Sequence, residues 1–162
     1  MKHFVALVLL FLASALHASE PMERVGAGTL RWFGLHVYDA ELWASGGSTD
    51  FSSPFRLTLR YARALHGKAI AERSAEEIAR LDFGSPAQRA VWRDAMRALF
   101  PDVAAGDSLS GLYLPGRGAR FFHNGRPLGE IDDAQFARAF FAIWLDPRTS
   151  APDLRAALLG ER

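Results

Sequence analysis

The chain has 162 residues, 49% hydrophobic and 23% charged, with 19 basic and 18 acidic side chains and no cysteine. That length fits one domain with a substantial core, and the near-average composition excludes disordered, collagen-like and coiled-coil readings. The lack of cysteine removes disulfide scaffolds, thiolate metal sites and cysteine nucleophiles, while a formal net charge of +1 gives no electrostatic footprint for nucleic acid.

Residues 1–18 have the layout of an export signal: a basic head at Met1-Lys2-His3, an unbroken apolar run from Phe4 to Leu12, and small residues from Ala13 to Ala18. The run is short for a permanent membrane span. Cleavage after Ala13-Ser14-Ala15 fits the small-x-small rule, and cleavage after Ala18, which leaves Ser19-Glu20-Pro21 as the new start, is favoured despite Leu16 at the third position back, so the chain divides into a signal peptide, 1–18, and a domain, 19–162. An uncleaved anchor is the alternative. Removing residues 1–18 takes away Lys2 and no acid, which leaves 18 basic and 18 acidic residues and a net charge of zero. No second long apolar run follows. The expected location is periplasmic or secreted, with no stable membrane span after signal removal.

Val25 to Phe33 predicts a strand, Gly34 a turn, and Leu35 to Trp43 the return strand, rich in β-branched and aromatic residues. Ala44 to Pro54 has loop composition. Phe55 to Tyr61 alternates strictly, which places Phe55, Leu57, Leu59 and Tyr61 on one face of a half-buried strand. From Gly67 to Leu81 the period changes to that of an amphipathic helix, with Arg73–Glu77 and Glu76–Arg80 at pairing distance. Ser85-Pro86-Ala87-Gln88 is a capping box with proline at the first helical position, and Pro101 follows the helix it opens. Ser108 to Leu114, Ala119 to His123 and Arg126 to Ile131 predict three further strands, joined at Pro115–Gly118 and at the hairpin signal Asn124-Gly125. Asp132-Asp133 caps a helix carrying Phe136, Phe140, Ile143 and Trp144 at core spacing, Asp146-Pro147 ends it, and Pro152 to Leu159 is a short last helix. Two hairpin regions that bracket a helical pair, with a helix after the second, make an α+β domain: an antiparallel sheet with helices on one face.

Motifs with chemistry are few. Gly26-Ala27-Gly28 begins a dinucleotide fingerprint, but Arg31 stands at the third glycine and a strand follows, so the small residues are read as allowing close packing. His36, His66 and His123 lack metal-ligand spacing, and no cofactor or metal is expected. Asp102, Asp107, Asp132 and Asp133 stand where turns and caps need them. One constellation is more specific. Arg31 and Tyr38 flank the Phe33-Gly34 turn and would be near neighbours across the hairpin. A guanidinium beside a phenol makes a carboxylate or oxyanion clamp. The plainer alternative is a solvated arginine and a core-edge tyrosine.

The segments Val25–Trp43 and Leu112–Ile131, and the end from Phe136 to Leu159 with Phe-Phe-Ala-Ile-Trp-Leu and Ser150-Ala151-Pro152, resemble the chalcone isomerase-like family. They are most similar to its secreted bacterial branch and its plant fatty-acid-binding branch. The resemblance implies an open-faced β-sandwich with a ligand cleft between sheet and helices. It places Arg31 at the family's cleft arginine and Tyr38 at the tyrosine that helps hold a carboxylate in the fatty-acid binders. The enzymes' tyrosine, lysine and asparagine on the first helix fall at Ile70, Arg73 and Glu77, and their late polar group at Ile143. The donors that would polarise a ketone are thus replaced, and only Arg31 remains, with Arg73 as a substitute cation. The implied ligand-binding residues are Arg31, Tyr38, Ile70, Arg73 and Ile143, with none catalytic. Leu57, Leu59, Ile70, Phe140 and Ile143 would surround an acyl tail. The expected function is a non-catalytic periplasmic binder of a fatty acid or similar amphipathic carboxylate. The alternatives are a chalcone isomerase-type intramolecular lyase or isomerase acting by positioning, and a structural or interaction protein of the cell envelope.

Overall fold

The structure, a computed structural model, describes residues 21–161; the expected export signal and its cleavage sites lie outside the described residues. Ten elements follow in chain order: β1 (Met22–Trp32), β2 (Leu35–Ser45), β3 (Phe55–Tyr61), α1 (Gly67–Arg80), α2 (Pro86–Leu99), β4 (Ser108–Leu114), β5 (Gly118–His123), β6 (Arg126–Ile131), α3 (Ala134–Leu145) and α4 (Pro152–Leu158). The strands form one six-stranded sheet in sequence order, every neighbour antiparallel. The helical pair α1–α2 is inserted between β3 and β4, which are themselves hydrogen-bonded neighbours.

Each element forms for a local reason. The alternation of β3 buries Phe55, Leu57, Leu59 and Tyr61, and the register aligns them with Ala44, Leu42, Ala40 and Tyr38 of β2 on the same inner face. Helix α2 starts at a complete capping box: the Ser85 side chain accepts from the Gln88 backbone N–H, and the Gln88 side chain accepts from the Ser85 backbone N–H. At α3, the Asp133 carboxylate accepts from the backbone N–H groups of Gln135 and Phe136, and also from Trp92 Nε1 of α2 at 2.8 Å. Helix α1 has no side-chain cap of its own; the carboxylate of Asp102, beyond α2, accepts from Gly67 N at 2.8 Å instead.

The core lies between the inner sheet face and α3. Helix α3 is buried almost all round, from Phe136 to Leu145, Arg138 excepted, and its rings interlock with those of the sheet. Phe141 packs edge-on to Phe55 and Tyr113, and Phe140 edge-on to Phe121. Helix α4 crosses β1 at Gly26 and Gly28. A Cβ on Gly26 would strike the α4 backbone, and one on Gly28 would lie 2.9 Å from side-chain carbons of Leu154 and Ala157. The small residues are what let α4 sit directly on the strand.

The hairpin β1–β2 differs from expectation near its tip. Leu30 pairs with Tyr38 and Arg31 with His36, so β2 carries one extra residue, Val37, at a bulge. The direct cross-strand partner of Tyr38 is thus Leu30, with Arg31 one position further along β1. The ion pairs of α1 also differ: Arg80 bonds Glu77 rather than Glu76, and Arg73 bonds both Glu76 and Glu77. Among the described residues no helix is long and apolar enough to cross a membrane.

Candidate functional site

The sheet and the helices do not close on each other completely. Between the inner face of β2–β5 and the helices α1 and α3 lies an open-mouthed cavity of about 610 Å³, within the range that holds small-molecule ligands. Leu57, Leu59 and Leu109 form its floor, Phe140, Phe141, Ile143 and Trp144 one wall, and Ile70, Arg73, Ser74 and Glu77 another. All five residues expected to contact a ligand, Arg31, Tyr38, Ile70, Arg73 and Ile143, line it, as do the expected tail-facing Leu57, Leu59 and Phe140. Their settings differ sharply.

Tyr38 is buried. Its hydroxyl accepts from Trp144 Nε1 at 2.9 Å, which leaves its own proton to donate. Directly opposite in the β2–β3 register stands Tyr61, with the two rings edge to face at 5.7 Å. No hydrogen bond engages the Tyr61 hydroxyl, yet no polar side-chain atom among the described residues is buried without a partner, so this hydroxyl opens into the cavity it lines. Burial pushes the Tyr38 phenol up to about 12, despite the opposing hydrogen bond from Trp144. Burial, with the neighbouring Tyr38, raises Tyr61 as well. Two neutral phenolic donors thus stand side by side in an apolar chamber.

The guanidinium coupled electrostatically to Tyr38 is that of Arg73, on α1. Arg73 donates to the buried carboxylate of Glu77 at 2.6 Å, and Arg80 donates to the other oxygen of the same carboxylate at 2.9 Å. Glu77 is 5% exposed, so its two arginines are what make its burial tolerable. Arg31 lies at the exposed rim. There, on the outer side of the hairpin, Asp39 is held below the usual carboxylate range, first by the Thr29 hydroxyl at 2.6 Å, then by His36, with a smaller contribution from Arg31. Ile70 and Ile143 supply apolar wall.

Sequence reasoning missed Tyr61 and Trp144 as parts of the site, and it placed Glu77 at the enzymes' asparagine without giving it a ligand role. The signal for Tyr61 was present, because strict alternation turns it inward at the end of β3. Trp144 was read only as core. Its indole N–H had to find a buried acceptor, and that acceptor lies 106 positions away in the chain, beyond any local pattern. Among the described residues no group of histidines and carboxylates is placed to hold a metal.

An open-faced antiparallel sheet with helices over one face and a ligand-sized cleft between them defines the class of fold. The chain belongs to the chalcone isomerase-like family, whose profile matches residues 18–160. It is similar to an uncharacterized protein of Haemophilus influenzae, 31% identical over 159 residues, which span 98% of this chain and 76% of that one. Its fold is also that of a fatty-acid binding protein of Arabidopsis thaliana. The TM-score to that crystal structure is 0.68 and the identity 12%, over 86% of this chain and 87% of the other.

Proposed function

We propose that the chain is a non-catalytic binder of a fatty acid or similar amphipathic carboxylate, working in the periplasm or outside the cell. The observation that carries this reading is the pairing of an apolar cavity of about 610 Å³ with two neutral phenols, Tyr38 and Tyr61, aimed into it. A carboxylate would accept hydrogen bonds from the two phenolic hydroxyls and from a spare N–H of Arg73, while Glu77 and Arg80 keep that guanidinium in place. Arg31 would act from the rim, through longer-range attraction. The tail would lie on Leu57, Leu59, Phe140 and Ile143. Each methylene buried there contributes about 0.8 kcal/mol. A dozen contribute on the order of 10 kcal/mol, comparable to the roughly 4–15 kcal/mol lost in immobilising a ligand. The fatty-acid binding protein of the same fold supports this ligand class, and the layout of residues 1–18 supports export.

The test is native mass spectrometry of protein recovered from the cell envelope, followed by titration of long-chain fatty acids. Bound or acquired acyl chains are expected. Tyr38→Phe and Tyr61→Phe should each weaken binding about tenfold or more, the loss of a hydrogen bond to a charged group, and Arg31→Ala should weaken it less. Protein that carries no lipid and takes none up would sink this reading. Turnover of a chalcone above background, followed by absorbance, would favour the isomerase alternative.

A further inference from the structure

Four large hydrophobic side chains are left exposed among the described residues, and three stand together at the β1–β2 tip: Trp32 at 58%, Phe33 at 91% and Leu35 at 54%. The turn that carries them is built against its own chemistry. Phe33 and Gly34 have φ of 48° and 78°, and at the other end of the chain Asn124 and Gly125 have φ of 49° and 78°. The same tight turn is thus made twice. Once it uses Asn-Gly, the pair best suited to positive φ; once it puts a bulky aromatic residue in the left-handed region. Phe33 gains almost nothing from the fold in return, since its one ring partner among the described residues is Trp32, itself more than half exposed, stacked at 5.7 Å.

The tip also stands at the cavity mouth. Trp32 and Arg31 line the opening, the Arg73 guanidinium lies 5.4 Å from the centre of the Trp32 ring, and Arg63 joins the rim from the loop after β3. Neither Arg31 nor Arg63 makes a hydrogen bond or ion pair with the described residues. We propose that this hairpin tip inserts into the surface of an anionic lipid bilayer, with Trp32, Phe33 and Leu35 among the upper acyl chains and Arg31 and Arg63 against the headgroups. Aromatic residues flanked by cations suit that interface. A protein partner suits it less. The tip is convex and narrow, and three side chains, each presenting at most about 150–250 Å², fall short of the roughly 800 Å² per side of a stable protein interface. The inference stands on the tip alone and does not require the cavity to hold a carboxylate.

The experiment is flotation of the protein as recovered from the cell envelope with vesicles of phosphatidylethanolamine and phosphatidylglycerol, against vesicles of phosphatidylcholine alone. Phe33→Asn is the decisive variant, because it restores the favoured turn pair. It should raise the melting temperature by about 2–4 °C, the shift that roughly 1 kcal/mol of relieved strain produces in a chain of this size. It should leave fatty-acid titration unchanged, and should lower binding to the anionic vesicles at least tenfold. Arg63→Ser should weaken that binding several-fold at low salt and have little effect at high salt. The proposal is overturned if the protein floats with neither vesicle, if it floats equally with both, or if Phe33→Asn floats like the parent, as it would if an uncleaved leader did the binding. A dimer that Phe33→Asn dissolves, without flotation of the parent, also overturns it.

Discussion

At the scale of single residues, the two facing phenols decide most of the site's chemistry. A tyrosine in water ionises near 10, whereas Tyr38 is pushed up to about 12 by burial, and burial raises Tyr61 too. Both remain proton donors at any pH the protein meets. The sign of the linkage follows. The folded chain holds these protons above pH 10, where the unfolded chain releases them. Their contribution to stability is therefore complete below pH 10 and is lost as pH rises towards 12. Urea denaturation at pH 8, 10 and 11 should show a falling midpoint over the last interval. Tyr38→Phe should flatten that fall. The contrast with Arg31 shows what was legible at this scale. Residue type and hairpin placement singled out Arg31 and Tyr38 together, and both line the cavity. The two-residue turn pairs Arg31 with His36, and one extra residue beyond it, Val37, sets Tyr38 opposite Leu30, so the guanidinium and the phenol are not direct cross-strand partners. A bulge of this kind costs little and leaves the alternation of the flanking segments intact, so sequence periodicity carries no trace of it.

At the scale of elements, α3 carries the core. It is apolar on nearly every side because it lies between the sheet, α1 and α4, and such a helix has nowhere to place polar residues. Phe141, fully buried among Phe55, Tyr113 and Phe140, is its central contact. Phe141→Ala should cost about 3–5 kcal/mol, read from chemical denaturation. It should also enlarge the cavity, because Phe141 forms part of its wall and its ring meets the bare backbone of Gly111. The elements were largely readable from the chain, and for physical reasons. Period-two alternation in β3, the Ser85 capping box and the Asp133 cap are local devices, each complete within a few residues. The cap of α1 was not readable, because its donor and acceptor, Gly67 and Asp102, are brought together only when α2 has packed.

At the scale of the whole molecule, the sheet is a simple meander interrupted once. Strands β1–β3 and β4–β6 are each local, with short connections, while residues 62–107 leave the sheet after β3 and return at β4. The seam between these halves is tied at the root of the excursion by Tyr61 N to Asp107 O and Gly106 N to Tyr61 O, both 2.8 Å. Partway along it, the Thr58 and Ser110 hydroxyls bond at 2.9 Å. Each half can assemble from near neighbours, whereas knitting them together must first close the long excursion, at an entropic cost of about 3 kcal/mol or more. Closing that excursion is therefore expected to limit the folding rate. Thr58→Ala, which removes a bond belonging only to the seam, should lower stability by about 1 kcal/mol and slow refolding in a stopped-flow chevron; an effect confined to the unfolding limb would place formation of the seam after the barrier.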